Sequence, residues 1–180
     1  MKTLGKKVII IINGKGGSGK DAVCNIMSQQ YKTAVISEIT PIKQLAAAAG
    51  WKGEKDDKSR KMLSDLKMLF VAYNDLPFNY AMGEIDKFLL SDNELLFIHI
   101  REKEEIDKIV NNCKHKVYTL LVKRTDEFFV QREYGNASDD LVEQYDYDFR
   151  YVGNNKTKQD LAASFSKYFD EIMLPVFLKD

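Results

Sequence analysis

The chain has 180 residues, 44% of them hydrophobic, with 27 basic and 27 acidic side chains. That length suits one domain with a buried core, and the balanced charge excludes a global basic field for DNA or RNA. Cys24 and Cys113 are far apart and form no metal-ligand spacing, a pattern that fits a reducing, cytoplasmic compartment.

Chain order begins with Met-Lys-Thr-Leu-Gly-Lys-Lys and a short apolar run. The run mimics a signal peptide, but it stops after five residues in a glycine-rich turn, and no segment reaches a membrane-spanning length. Val8 to Ile12 are five consecutive β-branched residues, the mark of a strand buried on both faces. Gly14-Lys15-Gly16-Gly17-Ser18-Gly19-Lys20-Asp21 follows, and then a helix-compatible run to Gln30. Strand, glycine turn, lysine and helix in that order make a phosphate-binding loop. Backbone N–H groups of such a loop converge on an anion, the helix N-terminus adds its dipole, and Lys20 neutralises β- and γ-phosphates. The plain alternative is a glycine turn with a chance lysine. Asp21 stands where Ser or Thr ordinarily offers a hydroxyl to Mg²⁺; its carboxylate is an oxygen donor that could reach the ion directly or through water.

Further strands are expected at Thr33 to Ser37, Leu95 to Ile100, Val117 to Val122 and Phe149 to Val152. Helices are expected at Asp21 to Gln30, Pro41 to Ala49, Asp57 to Ala72, Pro77 to Leu90, Lys103 to Asn111 and Lys158 to Met173. Pro41 and Pro77 fit first-turn positions, and Thr157 fits an N-cap. The alternation predicts a three-layer α/β/α fold around a central, mostly parallel sheet, as a single domain over residues 1–180. A helical insertion at about 41–91 separates the second and third strands, on the edge where substrates bind in such folds. It carries Lys52, Lys55, Lys58, Arg60 and Lys61, either a solvated charged face or a grip for a second phosphate.

Arg101 lies at the carboxyl end of the third strand, with Glu105 four residues on. The two could hold each other or a substrate over the glycine loop, or form an ordinary surface pair. His99 reads more readily as a sheet histidine than as a base, and His115 as loop surface. A lid at about 124–140 carrying Arg124 and Arg132 would neutralise a transferring phosphate and exclude water; a charged surface connection is the plain alternative. Ser138 resembles a helix cap within it. Tyr151 fits core packing better than base stacking, and the stripe Leu161, Phe165, Tyr168, Phe169 and Ile172 reads as core.

These elements together resemble the deoxynucleoside monophosphate kinases of tailed bacteriophages and bacteria, within the phosphate-loop kinases. Gly19-Lys20-Asp21 resembles that family's unusual Gly-Lys-Asp ending. Arg60 with Met62-Leu63 resembles its arginine-bearing helix, and Phe97-Ile98-His99-Ile100-Arg101 with Glu105 its strand-end stretch. Phe149 to Asn155 with the next helix resembles its closing segment. The likeness spans nearly the whole chain and is tight only at the first motif; dephospho-coenzyme A kinase shares the general plan. It implies ATP and Mg²⁺ as cofactors, with Gly14 to Asp21 and Asn155 at the donor nucleotide and Asp21 at the metal. It also implies Arg101, Arg60 and Glu105 at the acceptor, Lys20, Arg101, Arg124 and Arg132 in catalysis, and a nucleoside monophosphate or other small phosphorylated acceptor. Neither nucleic acid nor membrane is an expected partner, and monomer and homodimer both stay open. One departure stands out: His99 replaces the family's Asp, so Asp21 or Glu38 would have to carry the metal-side carboxylate. A nucleotide-binding protein without efficient transfer is the reading from another class.

Overall fold

A computed structural model describes residues 1–125, 142–153 and 157–179, with Lys158 described in its backbone only. Five strands form one sheet in the order β2-β3-β1-β4-β5: β1 (Val8–Asn13), β2 (Thr33–Ser37), β3 (Leu95–His99), β4 (Val117–Arg124) and β5 (Phe149–Gly153). Every pairing is parallel. The helices are α1 (Lys20–Gln30), α2 (Thr40–Ala48), α3 (Asp57–Asn74), α4 (Leu76–Leu90), α5 (Lys103–Asn112), α6 (Lys158–Tyr168) and α7 (Leu174–Lys179).

The continuous apolar run of β1 is explained by its central place: all six residues are buried. Alternation sorts them between two cores. Val8, Ile10 and Ile12 join Leu95, Phe97, Leu120 and Tyr151 beneath α1, α6 and α7. Ile9 and Ile11 join Leu96, Ile98 and Leu121 against α4 and α5. The result is a three-layer α/β/α sandwich, as the sequence pattern predicts.

Helix boundaries follow local chemistry. Asp56 caps α3 by accepting from the Ser59 amide at 2.7 Å, and Pro41 and Pro77 occupy first turns. Thr157 and Asp160 exchange side-chain and backbone bonds at 3.0 Å in a capping box at the start of α6. Most other boundaries shift by a residue or two, β3 ending at His99 rather than Ile100 and α3 running on to Asn74, and two differences have a clear physical cause. β4 continues through Lys123 and Arg124 because both pair with β5, opposite Val152 and Gly153. The last helix widens into a π turn over Phe169–Met173, so Phe165, Phe169, Met173 and Phe177 fall in line and are fully buried. Ile172, expected in the core stripe, is 50% exposed as a consequence. Tyr151 is core, its ring 5.0 Å from that of Phe165.

No helix among the described residues is long and apolar enough to cross a membrane.

Candidate nucleotide site

The strand order places β1 and β3 side by side, with α1 crossing one face of the sheet and α5 the other. The crevice beyond the carboxyl ends of two such strands is where ligands bind in open α/β sheets. The glycine loop leaves β1 on one side of it, and Ile100-Arg101-Glu102 leaves β3 on the other.

Residues 14–19 turn tightly from β1 into α1, and Gly14, Gly17 and Gly19 all have positive φ. Gly14 shows why a side chain is excluded. A Cβ there would lie 2.2 Å from the Val122 carbonyl oxygen and 2.6 Å from Ser18 Oγ. Lys20 Nζ folds back on the loop and donates to the Gly14 and Lys15 carbonyls, which holds its charge at the loop's mouth. Ser18 Oγ is buried with no hydrogen-bond partner among the described residues. A side-chain-free turn, an ammonium at its mouth and an orphaned hydroxyl fit an oxyanion with several acceptor oxygens. Gly14→Ala is expected to lower stability by about 1–3 kcal/mol, because the colliding atom is backbone and cannot rotate away. Anion affinity should fall with it. A thermal melt with and without ADP checks both, and an unchanged ADP-induced rise in melting temperature would refute the close approach.

Asn13, which sequence reasoning did not single out, ties the two sides of the crevice together. It is fully buried; its Oδ1 accepts from the Gly14 amide at 2.8 Å, and its Nδ2 donates to the Arg101 carbonyl at 3.0 Å. The only signal in the chain is a polar residue ending an apolar run just before a glycine.

Asp21 opens α1 with its side chain 94% exposed toward the crevice, 3.8 Å from His99 Nε2. His99 points to the α1 face of the sheet, where Cys24 Sγ is 3.6 Å from the same nitrogen. Burial lowers the His99 pKa, with Lys20, Arg101 and Lys43 adding to the effect against Asp21. The ring is therefore neutral near pH 7. Burial pushes the Cys24 thiol up to about 12, so it stays protonated, as expected of a small buried hydrophobe.

Glu38, named from sequence as a possible metal-side carboxylate, is committed elsewhere. It is 4% exposed at the end of β2 and bonds Lys67 of α3, whose ammonium also bonds Glu102. Burial pushes the Glu38 carboxyl up to about 8, and Lys67 offsets only part of that. Burial alone would raise Glu102 and lower Lys67, but their attraction outweighs it, leaving Glu102 below and Lys67 above the ordinary value. The three groups clamp α3 against the edge of the sheet.

Arg60 lies on α3 seven residues before Lys67, hence on nearly the same helix face. It is exposed, and its Nε donates to the Lys55 carbonyl at 3.2 Å. Glu105 turns inward on α5 and is buried. Its Oε1 accepts from Lys108 at 3.0 Å, and Lys108 also binds Asp75 at 2.8 Å. The expected partnership of Glu105 with Arg101 is thus taken by Lys108. On the other flank Arg124 ends β4, half-buried, and with Lys15, Ser18 and Lys123 lines a small crevice. Glu143 reaches into it, 2.6 Å from Lys123 and 4.0 Å from Lys15. Arg132, Ser138 and Asn155 lie outside the described residues.

No protein-family model and no curated sequence matches the chain. Solved structures do share its fold. TT1252 from Thermus thermophilus superposes with a TM-score of 0.52 at 15% identity, over 93% of this chain and 98% of that one. Thymidylate kinase from Candida albicans superposes with a TM-score of 0.55 at 14% identity, over 94% of this chain and 93% of that one. A protein from Chloroflexus aurantiacus described as a putative kinase gives 0.44 at 12% identity over 67% of this chain and 60% of that one. What the chain shares with TT1252 and with that thymidylate kinase is the fold, a three-layer α/β/α sandwich around a parallel sheet.

Proposed function

We propose that this chain transfers the γ-phosphoryl group of ATP to a (deoxy)nucleoside monophosphate. The observation that carries the reading is Lys20, held over a side-chain-free loop at the carboxyl edge of a parallel sheet, with Arg101 across the crevice. The shared fold with a thymidylate kinase and the Gly-Lys-Asp ending of the loop are in keeping with it.

In this reading the loop amides of residues 14–20 receive the donor phosphates, and Lys20 exchanges its two carbonyl partners for phosphate oxygens. Asp21 is the carboxylate that would hold Mg²⁺, whose charge would offset that of the donor phosphates. Arg101 and Arg60 take the acceptor phosphate, Arg124 and Arg132 the charge on the transferring group, and the segment around Asn155 the adenine. A phosphate oxygen of the acceptor is already nucleophilic, so the protein supplies positioning and charge stabilisation rather than a strong base.

His99, neutral where a carboxylate is usual in the resembling family, favours a second reading: nucleotide binding with slow transfer. A matrix of ATP against the ribo- and deoxyribonucleoside monophosphates, with dephospho-coenzyme A as an additional acceptor, separates them. Diphosphate product from one or more monophosphates is expected. Phosphorylated coenzyme A precursor alone would move the assignment to the dephospho-coenzyme A kinase plan. ATP binding without product would leave the second reading. In Lys20→Ala both ATP binding and turnover should collapse with little change in melting temperature.

A further inference from the structure

We propose that His99 Nε2 and the Asp21 carboxylate form a mixed nitrogen–oxygen site for the nucleotide's divalent ion, and that this site prefers Mn²⁺ or Co²⁺ to Mg²⁺. The inference rests on the nucleotide-binding reading and goes beyond it by naming the ion and its protein ligands.

His99 ends β3 beside Ile12 of β1, so it is fixed opposite a residue two positions before Gly14, the first of the glycine loop. Strand alternation turns the side chain to the α1 face, under the first turn of that helix. There Nε2 stands 3.8 Å from Asp21 Oδ1. Ions with bonds of about 2.1 Å hold neighbouring donors about 3 Å apart, so closure needs less than about 1 Å of movement. Asp21 supplies that movement freely, since its side chain is almost wholly exposed while the ring is packed. Cys24 Sγ lies 3.6 Å from the same nitrogen; with the ring proton on Nδ1 the Nε2 lone pair is the acceptor there, and an ion bound to Nε2 would replace that weak contact.

Imidazole nitrogen suits borderline ions, whereas Mg²⁺ is best served by oxygen alone. A carboxylate in place of His99 would present an all-oxygen set; the histidine does not. Two side chains are also too few to hold an ion unaided, and the described residues contain no group of three or more His, Cys, Asp or Glu able to do so. Phosphate oxygens must complete the shell, so ion and nucleotide should bind together or weakly.

The test uses the full chain with a non-hydrolysable ATP analogue. Mn²⁺ binding is followed by the loss of its free-ion electron paramagnetic resonance signal, with and without the analogue, and analogue affinity is measured by calorimetry in Mn²⁺ and in Mg²⁺. Affinity about tenfold or more higher in Mn²⁺ is expected, together with Mn²⁺ uptake that depends on the analogue. Pulsed resonance should then show nitrogen coupled to Mn²⁺. The chain has two histidines, His99 and His115, so growth on ¹⁵N-histidine must change that coupling without any substitution. His99→Asp should abolish it and reverse the preference toward Mg²⁺. Coupling that is indifferent to the label and survives in His99→Asp comes from the adenine and overturns the inference, as does equal affinity in both ions. In either case the phosphate-loop reading stands. Absence of analogue binding with every ion overturns both.

Discussion

Lys67→Met is expected to lower the unfolding free energy by about 3–5 kcal/mol, among the largest single effects in the molecule. The methionine fills much of the same volume but leaves Glu38 and Glu102 facing one another without the ammonium they share. Glu38, with its pKa near 8, stays protonated at neutral pH, so the loss falls on the Glu102 carboxylate, left without its counter-charge, the situation in which one partner's removal is most damaging. The sign of the pH response distinguishes this cluster from ordinary surface pairs. Glu38 has its pKa raised in the folded chain to about 8. Its contribution is complete below the unfolded value, near 4.5, and is lost as pH rises through about 8. Glu102, with a lowered pKa, contributes above its unfolded value and loses that as pH falls through the folded one. Lys67, raised from 10.5, keeps its contribution until pH passes that value. Between pH 5 and 8.5, therefore, Glu38 dominates, and this cluster loses stability with rising pH. Glu38→Gln keeps a neutral amide there and should flatten that fall. Urea midpoints at pH 5 and pH 8.5 for wild type, Lys67→Met and Glu38→Gln decide the matter. Parallel pH slopes in wild type and Glu38→Gln would show that Glu38 is already ionised at pH 5.

This clamp was invisible in the sequence for a physical reason. Lys67 meets Glu38 across 29 residues and Glu102 across 35, and each looks alone like a solvated charge on an element end. Only the tertiary fold, which brings Lys67 of α3 to the residues that follow β2 and β3, puts them together. Glu105 misleads in the same way. Its spacing from Arg101 suggests a helix pair, but the amphipathic turn of α5 buries it beside Ile106, and Lys108 takes its charge. A 3.6-residue period puts Ile172 in the core stripe, but the π turn interrupts that period and leaves it exposed. By contrast, the glycine loop, the central strand, the proline-led starts of α2 and α4 and the capped start of α6 depend on contiguous residues, and local chemistry suffices to place them. The parallel sheet followed from run length and alternation. Its order, which puts Arg101 opposite the loop, required the tertiary structure.

Arg101→Ala should impair use of the monophosphate far more than binding of ATP. Arg101 lies two residues beyond β3, and its backbone carbonyl is anchored by Asn13, whose other end holds the Gly14 amide. That anchor fixes the main chain on both sides of the crevice, so truncating the exposed Arg101 side chain leaves the loop geometry intact. Loss of a charge-assisted contact to a bound anion costs roughly 2–4 kcal/mol, about 30- to 1000-fold in rate or affinity. The loss should fall on the acceptor's kcat/KM. Arg60→Ala should follow the same pattern if α3, pinned by Lys67 two turns further on, presents residue 60 to the same phosphate. Asn13→Ala should instead damage donor and acceptor together, because it releases the loop and the Arg101 backbone at once. Acceptor-concentration curves at saturating ATP, set beside calorimetric ATP binding for the three variants, separate these cases. Parallel loss of ATP affinity and acceptor use in Arg101→Ala would assign that side chain to the donor phosphates or to the fold. No change in either would leave it outside the site and remove the main support for an acceptor opposite the glycine loop.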